Sequence, residues 1–98
     1  MIQSFANRGS EDVFRGKASK KARRLCPSTL LATAKRKLDQ LNQAHLLEDL
    51  RAPPANNLEK LKGDRAGQWS IRINDQYRVC FAWTDQGPAE VEIVDYHR

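Results

Sequence analysis

The last third of the chain alternates apolar and polar residues in three consecutive runs, and this pattern constrains the fold most strongly. The runs cover residues 69–73, 77–83 and 91–96, and the large apolar side chains of the first two occupy odd-numbered positions. Short polar turns separate the runs. Alternation of this kind, joined by short turns, is typical of an antiparallel meander. We therefore predict three antiparallel strands with one apolar face.

Two amphipathic segments precede the strands and are predicted to cover that face. Ser10 suits the N-cap of a short helix that stops at Gly16. Pro27 suits the first position of a longer helix, whose apolar residues recur every three or four positions to about residue 44. Residues 1–6 alternate weakly and predict a fourth strand. The expected fold is α+β, with two N-terminal helices on an antiparallel sheet of about four strands, in one domain spanning residues 1–98.

The chain is basic, with 17 Lys and Arg against 12 Asp and Glu and a net charge of +5. Such an excess favours an anionic partner, above all nucleic acid, although a basic protein without one is the alternative. Residues 15–24 concentrate this charge, and we predict a solvated loop or helix end that contacts phosphate or only solvent. Its candidate RNA-binding residues are Lys20, Lys21, Arg23 and Arg24. On the following helix, Lys35, Arg36 and Lys37 are predicted to lie on the outer face.

The expected cellular location rests on the membrane-spanning and secretion signals that the sequence lacks. No run approaches the ~18 apolar residues of a membrane helix, and the first residues do not resemble a signal peptide. The two cysteines, Cys26 and Cys80, are expected to stay reduced, although a disulfide between them is formally possible. We therefore expect a cytoplasmic protein that does not contact a membrane.

Strand parity places charged residues together on the face opposite the predicted core. If Ile71 and Val79 face the helices, Arg72 and Arg78 project from the other side of the sheet. On the last strand, the same rule puts Tyr96 on that side. The sequence thus predicts an uncovered face carrying two arginines and a tyrosine, with a loop containing Lys62 and Arg65 at its margin.

These residue types suit RNA cleavage better than metal chemistry. The two histidines, His45 and His97, are far apart in sequence, no metal-ligand spacing is present, and no cofactor is expected. RNA carries its own nucleophile, the 2′-OH, so an enzyme must orient it, accept its proton, stabilise the phosphorane and protonate the leaving oxygen. Each residue alone also has a plainer interpretation, such as a solvated arginine.

Two long motifs resemble the HigB branch of the RelE-type toxins. Residues 61–81 read LKGDRAGQWSIRINDQYRVCF, and residues 91–97 read VEIVDYH; the opening MIQSF is also similar. The resemblance implies a RelE-like fold and the toxin of a type II toxin–antitoxin pair. It also implies cleavage of translated mRNA in the A site of the 70S ribosome. The implied partner is a HigA-type helix-turn-helix antitoxin, through which the toxin would be linked to operator DNA.

The resemblance also assigns roles to individual residues. Lys62 and Arg65 would hold phosphates, Arg78 would stabilise the scissile phosphate, and Arg72 is added from parity alone. Asp95, Tyr96 and His97 match the functional C-terminus of the family, with His97 as the leading acid or base and Tyr96 orienting RNA.

One position departs from the family pattern. Some relatives carry a histidine near the position of Glu59. Either Glu59 serves as the base in place of that histidine, or this chain has no replacement for it. The alternative hypothesis is therefore a weakly catalytic or non-catalytic RelE-like module that binds ribosomes or RNA and its antitoxin. A DNA-binding protein is less favoured, because no recognition helix is evident.

Overall fold

The computed structural model describes residues 1–96 and has helices packed on one antiparallel sheet. The helices are α1 (Arg8–Phe14), α2 (Lys20–Leu25) and α3 (Leu31–Gln43), and the strands are β1 (Glu59–Lys60), β2 (Gln68–Arg72), β3 (Tyr77–Thr84) and β4 (Gly87–Asp95). Short 3₁₀ turns occupy Ser28–Leu30, Leu47–Arg51, Pro54–Asn56 and Gly63–Arg65. The sheet order is β1-β2-β3-β4, with every neighbouring pair antiparallel. The predicted α+β architecture is confirmed.

The two predicted helices are present as α1 and α3, but α1 begins earlier than predicted, and α3 begins later, at Leu31 instead of Pro27, because a 3₁₀ turn occupies Ser28–Leu30. Asn7 is its N-cap and accepts a hydrogen bond from the Ser10 backbone N–H at 2.8 Å. Ser10 is instead buried, and its hydroxyl accepts from the Ile93 N–H at 3.0 Å. The serine therefore fastens α1 to β4, a contact between distant residues that local capping preferences do not report.

Residues 15–19 of the basic run form a turn and loop, as predicted, whereas residues 20–24 lie in the short helix α2, which was not predicted. Ser19 caps it by accepting from the Ala22 N–H at 3.1 Å, and Ala22 is fully buried against the core. Gly9 allows α1 to pack closely on α2, since a Cβ there would lie 2.8 Å from the Lys21 carbonyl oxygen. The four basic side chains of α2 are exposed. No helix within residues 1–96 combines the length and apolar character that crossing a bilayer requires.

The fourth strand comes from a different part of the chain than predicted. Residues 1–6 form no strand, and Phe5 makes only an isolated parallel bridge to Val91. The cap at Asn7 ends this segment before a ladder can extend. The fourth strand is β1, in which Glu59 pairs with Ser70 of β2.

The odd-numbered residues of the strands form the core, as parity predicts. Ile71, Val79, Phe81 and Val91 are fully buried and pack in one cluster with α3 residues that include Leu38. Burying this apolar surface is the main source of stability in a chain of this size.

The opposite face of the sheet is more covered than predicted. Ser70 and Cys80 are fully buried, and Arg78 is only 6% exposed. The chain around β1 accounts for this cover, because the Asn57 carbonyl binds Arg78 and the Arg65 side chain reaches Glu92 on β4. Strand parity identifies which residues share a face, but it does not show whether a loop crosses that face.

Both cysteines are buried and free, and burial raises the pKa of each thiol. Unfolded thiols ionise near pH ~8.5, whereas the folded thiols stay protonated to higher pH. The unfolded state therefore binds fewer protons above this pH, and the free energy of unfolding should fall as pH rises. We expect urea unfolding between pH ~8 and ~9.5 to give a shallower fall for the Cys26→Ala/Cys80→Ala variant than for the wild type. Equal slopes would contradict the assignment.

Candidate functional site

Arg78 is the most constrained side chain on the covered face of the sheet. Its Nε donates to the Ser70 hydroxyl at 2.7 Å, and its Nη2 donates to the Asn57 carbonyl at 2.5 Å. The Glu59 carboxylate lies 3.9 Å from the same Nη2. A guanidinium buried to this extent needs such partners, because an uncompensated buried charge is strongly destabilising. The three contacts fix the plane of the guanidinium.

A cleft of about 270 Å³ opens beside Arg78. Its lining residues come from the segment before β1, the β2–β3 turn and the end of β4: Asn57, Arg72, Asn74, Asp75, Arg78 and Tyr96. The Tyr96 ring centroid lies 6.0 Å from Arg78 Cζ, within the range of a cation–π contact. The cleft therefore combines guanidinium groups with an aromatic ring and amide side chains.

Arg72 and Arg78 are direct cross-strand partners in the β2–β3 register. Like charges in this arrangement repel each other. Arg72 forms an ion pair with Asp75, and Arg78 lies near Glu59, so each arginine has its own acidic neighbour. The site consequently presents paired cations at a cleft, where a bound anion would gain from both.

The β2–β3 turn that borders the cleft is held by its own side chains. Asn74 Oδ1 accepts from the backbone N–H groups of Gln76 at 2.9 Å and Tyr77 at 2.8 Å. Asparagine commonly stabilises turns in this way. The turn thereby keeps Asp75 close to Arg72.

The remaining predicted site residues lie apart from the cleft lining. Lys62 is exposed ahead of the Gly63–Arg65 turn. Arg65 donates to Gln68 at 3.1 Å and to Glu92 at 3.2 Å, across the face above Cys80. Asp95 is exposed and accepts from Gln76 Nε2 at 3.1 Å. The basic residues of α2 (Lys20, Lys21, Arg23 and Arg24) form a separate exposed surface, and His97 lies outside the described residues.

Two residues that hold Arg78 were missed in the sequence. Parity places Ser70 on the same face as Arg78, so its contact could have been found by comparing strand registers. The contact of Asn57 depends on the path of the loop and on a left-handed backbone conformation, with φ of 45°. Asparagine is among the few residues that adopt this conformation readily, which is the only sequence signal for it. Within residues 1–96, no cluster of three or more His, Cys, Asp or Glu could hold a metal ion.

The fold matches a solved structure along its full length. A chain of the YoeB–YefM complex from Staphylococcus aureus superposes with a TM-score of 0.60, covering 100% of this chain and 99% of that chain at 14% identity. This likeness concerns the fold.

Sequence comparison defines the class. The family model described as the RelE-like toxin of type II toxin–antitoxin system HigB matches residues 3–97. Toxin HigB-1 of Vibrio cholerae is 44% identical over 78 residues, which cover 80% of this chain and 81% of that protein. An uncharacterised protein of Haemophilus influenzae is 42% identical over 57 residues, or 58% of this chain and 56% of that protein. The protein is thus a RelE-like toxin of a type II toxin–antitoxin system. More narrowly, the chain belongs to the HigB-like toxin family, and the predicted resemblance is confirmed.

The paired arginines predict a measurable response to phosphate. A ligand that binds only the folded state at about ten times its dissociation constant stabilises that state by ~1.4 kcal/mol. We expect phosphate to raise the Tm of the wild type more than chloride at the same ionic strength, and Arg72→Met and Arg78→Met to lose that difference. Arg51→Met removes an exposed arginine paired with Glu48 and serves as the control. A response shared equally by all four proteins would contradict an anion site in the cleft.

Proposed function

We propose that this toxin is a ribosome-dependent endoribonuclease that cleaves translated mRNA in the ribosomal A site and thereby inhibits translation and growth. The observation that carries the proposal is the Arg78 guanidinium, fixed by Ser70 and Asn57 beside a cleft that also contains Arg72 and Tyr96. Membership of the HigB-like family supports the same activity. The substrate is a single strand whose phosphates and bases are accessible, as an unpaired codon is.

The proposed reaction uses the nucleophile of the RNA itself. The 2′-oxygen attacks the adjacent phosphorus, the bond to the 5′-oxygen breaks, and the products are a 2′,3′-cyclic phosphate and a 5′-hydroxyl. Arg78 neutralises the charge that develops on the phosphorane, a role for which a rigid guanidinium is suited. Since arginine supplies this charge, the proposed mechanism needs no metal ion.

Two groups are proposed for the proton transfers. The Glu59 carboxylate, 3.9 Å from Arg78, is proposed to accept the 2′-OH proton. His97 follows Tyr96 directly in sequence and is proposed to protonate the leaving 5′-oxygen. Tyr96 is proposed to orient the RNA by stacking, and Asp95 to hold Tyr96 in place through the contact of Asp95 with Gln76.

Phosphate contacts other than that of Arg78, both in the cleft and outside it, are proposed to position the RNA and the ribosome. Arg72 lines the cleft itself, while Lys62 and Arg65 lie on the nearby β1–β2 turn. The exposed basic residues of α2 are proposed to contact ribosomal RNA, in agreement with the net charge of +5. Such contacts add affinity without reading sequence.

The proposed partner is a HigA-type antitoxin that neutralises the toxin in the cytoplasm and links it to operator DNA. The solved structure with the same fold was determined as a complex of YoeB with YefM. Coexpression of this chain with a helix-turn-helix protein encoded beside it, followed by co-purification, tests this partnership.

A second candidate function is a module that binds ribosomes or RNA without cutting. The Glu59 carboxylate favours it, because an acidic group so close to Arg78 competes with a phosphate for the same cation.

Primer extension on mRNA with translating ribosomes, beside naked RNA, separates the two functions. Cuts in the translated sample alone support the ribosome-dependent nuclease, whereas intact mRNA with toxin-bound ribosomes supports the binding module.

Arg78→Ala should remove the group that stabilises the transition state. Loss of one such interaction typically reduces the rate ~100- to 1000-fold, and we expect a reduction of this size in single-turnover cleavage of ribosome-bound mRNA. Arg51→Ala removes an exposed arginine from the Leu47–Arg51 turn and should cleave like the wild type. Full activity of a folded Arg78→Ala protein would rule out the proposed role.

The proton-transfer groups should be separable by their pH dependence. His97→Ala is expected to reduce cleavage ~100- to 10,000-fold and to abolish the alkaline limb of the pH–rate profile, because the acid must be protonated. Glu59→Gln is expected to abolish the acidic limb, because the base must be ionised. A profile that keeps both limbs in both variants would place acid–base catalysis elsewhere.

A further inference from the structure

A buried polar cluster joins α3 to the segment that holds Arg78. Lys37 is only 8% exposed, and its Nζ donates to Asn56 Oδ1 at 2.6 Å. Asn56 is fully buried, and its Nδ2 donates to the carbonyls of Leu50 at 3.2 Å and Ala52 at 3.3 Å. Gln40 accepts a further bond from the same Nδ2 at 3.3 Å. The amide thus joins α3 to residues 50–52.

Lys37 occupies a position that packing alone would assign to an apolar residue. The buried residues of α3 are Ala34, Lys37, Leu38 and Leu41, which follow the spacing of a core-facing stripe. The prediction that Lys37 lies on the outer face was therefore wrong. Burial, followed by the nearby charges of Arg36 and Arg72, lowers the pKa of Lys37. Burying a cation is costly unless it is hydrogen-bonded or paired. The hydrogen bond from Lys37 to Asn56 is the contact that accounts for the buried position.

The residue after Asn56, Asn57, accepts a hydrogen bond from Arg78. Asn57 has φ of 45° and ψ of 59°, and its carbonyl accepts from Arg78 Nη2 at 2.5 Å. The side chain of Asn56 and the carbonyl of Asn57 are only a few covalent bonds apart, so fixing one restricts the other. The backbone here passes from the helix layer to the opposite face of the sheet.

We propose that Lys37 is a positioning residue, which acts through Asn56 to hold the Asn57 carbonyl against the Arg78 guanidinium. The inference rests on the proposed function, since the group being positioned is the one assigned to the scissile phosphate. Lys37 does not touch RNA in this scheme. It keeps the guanidinium in the orientation that the transition state requires, and small displacements of such groups are costly to the rate.

Lys37→Met tests this role against a matched control, Lys35→Met. Both variants remove one charge from α3, but Lys35 is a partly exposed residue paired with Asp39. For Lys37→Met we expect single-turnover cleavage at saturating ribosomes to fall ~10- to 100-fold with ribosome affinity unchanged. Lys35→Met should match the wild type in both measurements. A folded Lys37→Met protein that cleaves at the wild-type rate would overturn the proposal.

A measurement on the toxin alone separates this inference from the proposed function. The Arg78 Nε–H donates to buried Ser70, so we expect its NMR signal, identified by its loss in Arg78→Lys, to exchange slowly with water. Lys37→Met should accelerate this exchange about tenfold or more, while Lys35→Met should not. Unchanged exchange in a folded Lys37→Met protein would overturn the positioning role, whatever the ribosome assay shows. Failure of the wild type to cut translated mRNA would instead overturn the proposed function.

Should Lys37→Met not fold, Gln40→Ala carries the test. Gln40 is partly exposed and accepts a 3.3 Å hydrogen bond from Asn56, which is longer than the 2.6 Å bond from Lys37. Gln40→Ala therefore weakens the restraint on the Asn56 side chain without removing a buried charge. The same exchange signal and cleavage rate are measured, with a smaller change in the same direction expected. Wild-type values for both would overturn the proposal.

Discussion

The antiparallel register that sets Arg72 opposite Arg78 is the constraint on which the candidate site depends. In the same register, Ile71 lies opposite Val79, and both are fully buried. A slip of one residue would exchange the two faces and force the arginines into the apolar core. The core packing that stabilises the fold therefore also places the two arginines opposite each other. The site depends on no further contact to set the register of β2 and β3.

A second constraint acts from the other side of Arg78. The sheet supplies Ser70, but two further polar partners, Asn57 and Glu59, belong to the segment leading into β1 and to β1 itself. The guanidinium therefore joins a regular sheet to an irregular stretch of chain. Regular structure sets where the cation lies, and the irregular stretch sets how it is oriented.

Much of the fold was predictable because its signals are local. The alternation in β2, β3 and β4 and the apolar stripe of α3 indicate which residues face the core, and strand parity alone places Arg72, Arg78 and Tyr96 on one face. What could not be predicted arises from contacts between distant residues. The burial of Lys37 depends on Asn56 across the Pro54–Asn56 turn, and the burial of Ser10 depends on a backbone group of β4. A two-residue strand such as β1 has too few residues to show alternation.

The first residues of the chain determine which edges of the sheet remain open. Gln3 donates to the Pro88 carbonyl at 2.8 Å and Ser4 accepts from the Val91 N–H at 3.1 Å, so the N-terminal segment covers part of the outer edge of β4. The Ser10 hydroxyl accepts a hydrogen bond from the Ile93 N–H further along the same edge. On the other side of the sheet, β1 has only two residues, which pair with Trp69 and Ser70 of β2. Exposed strand edges are templates for uncontrolled pairing between molecules. The sheet therefore offers neighbouring copies of the chain little edge on which to add a strand.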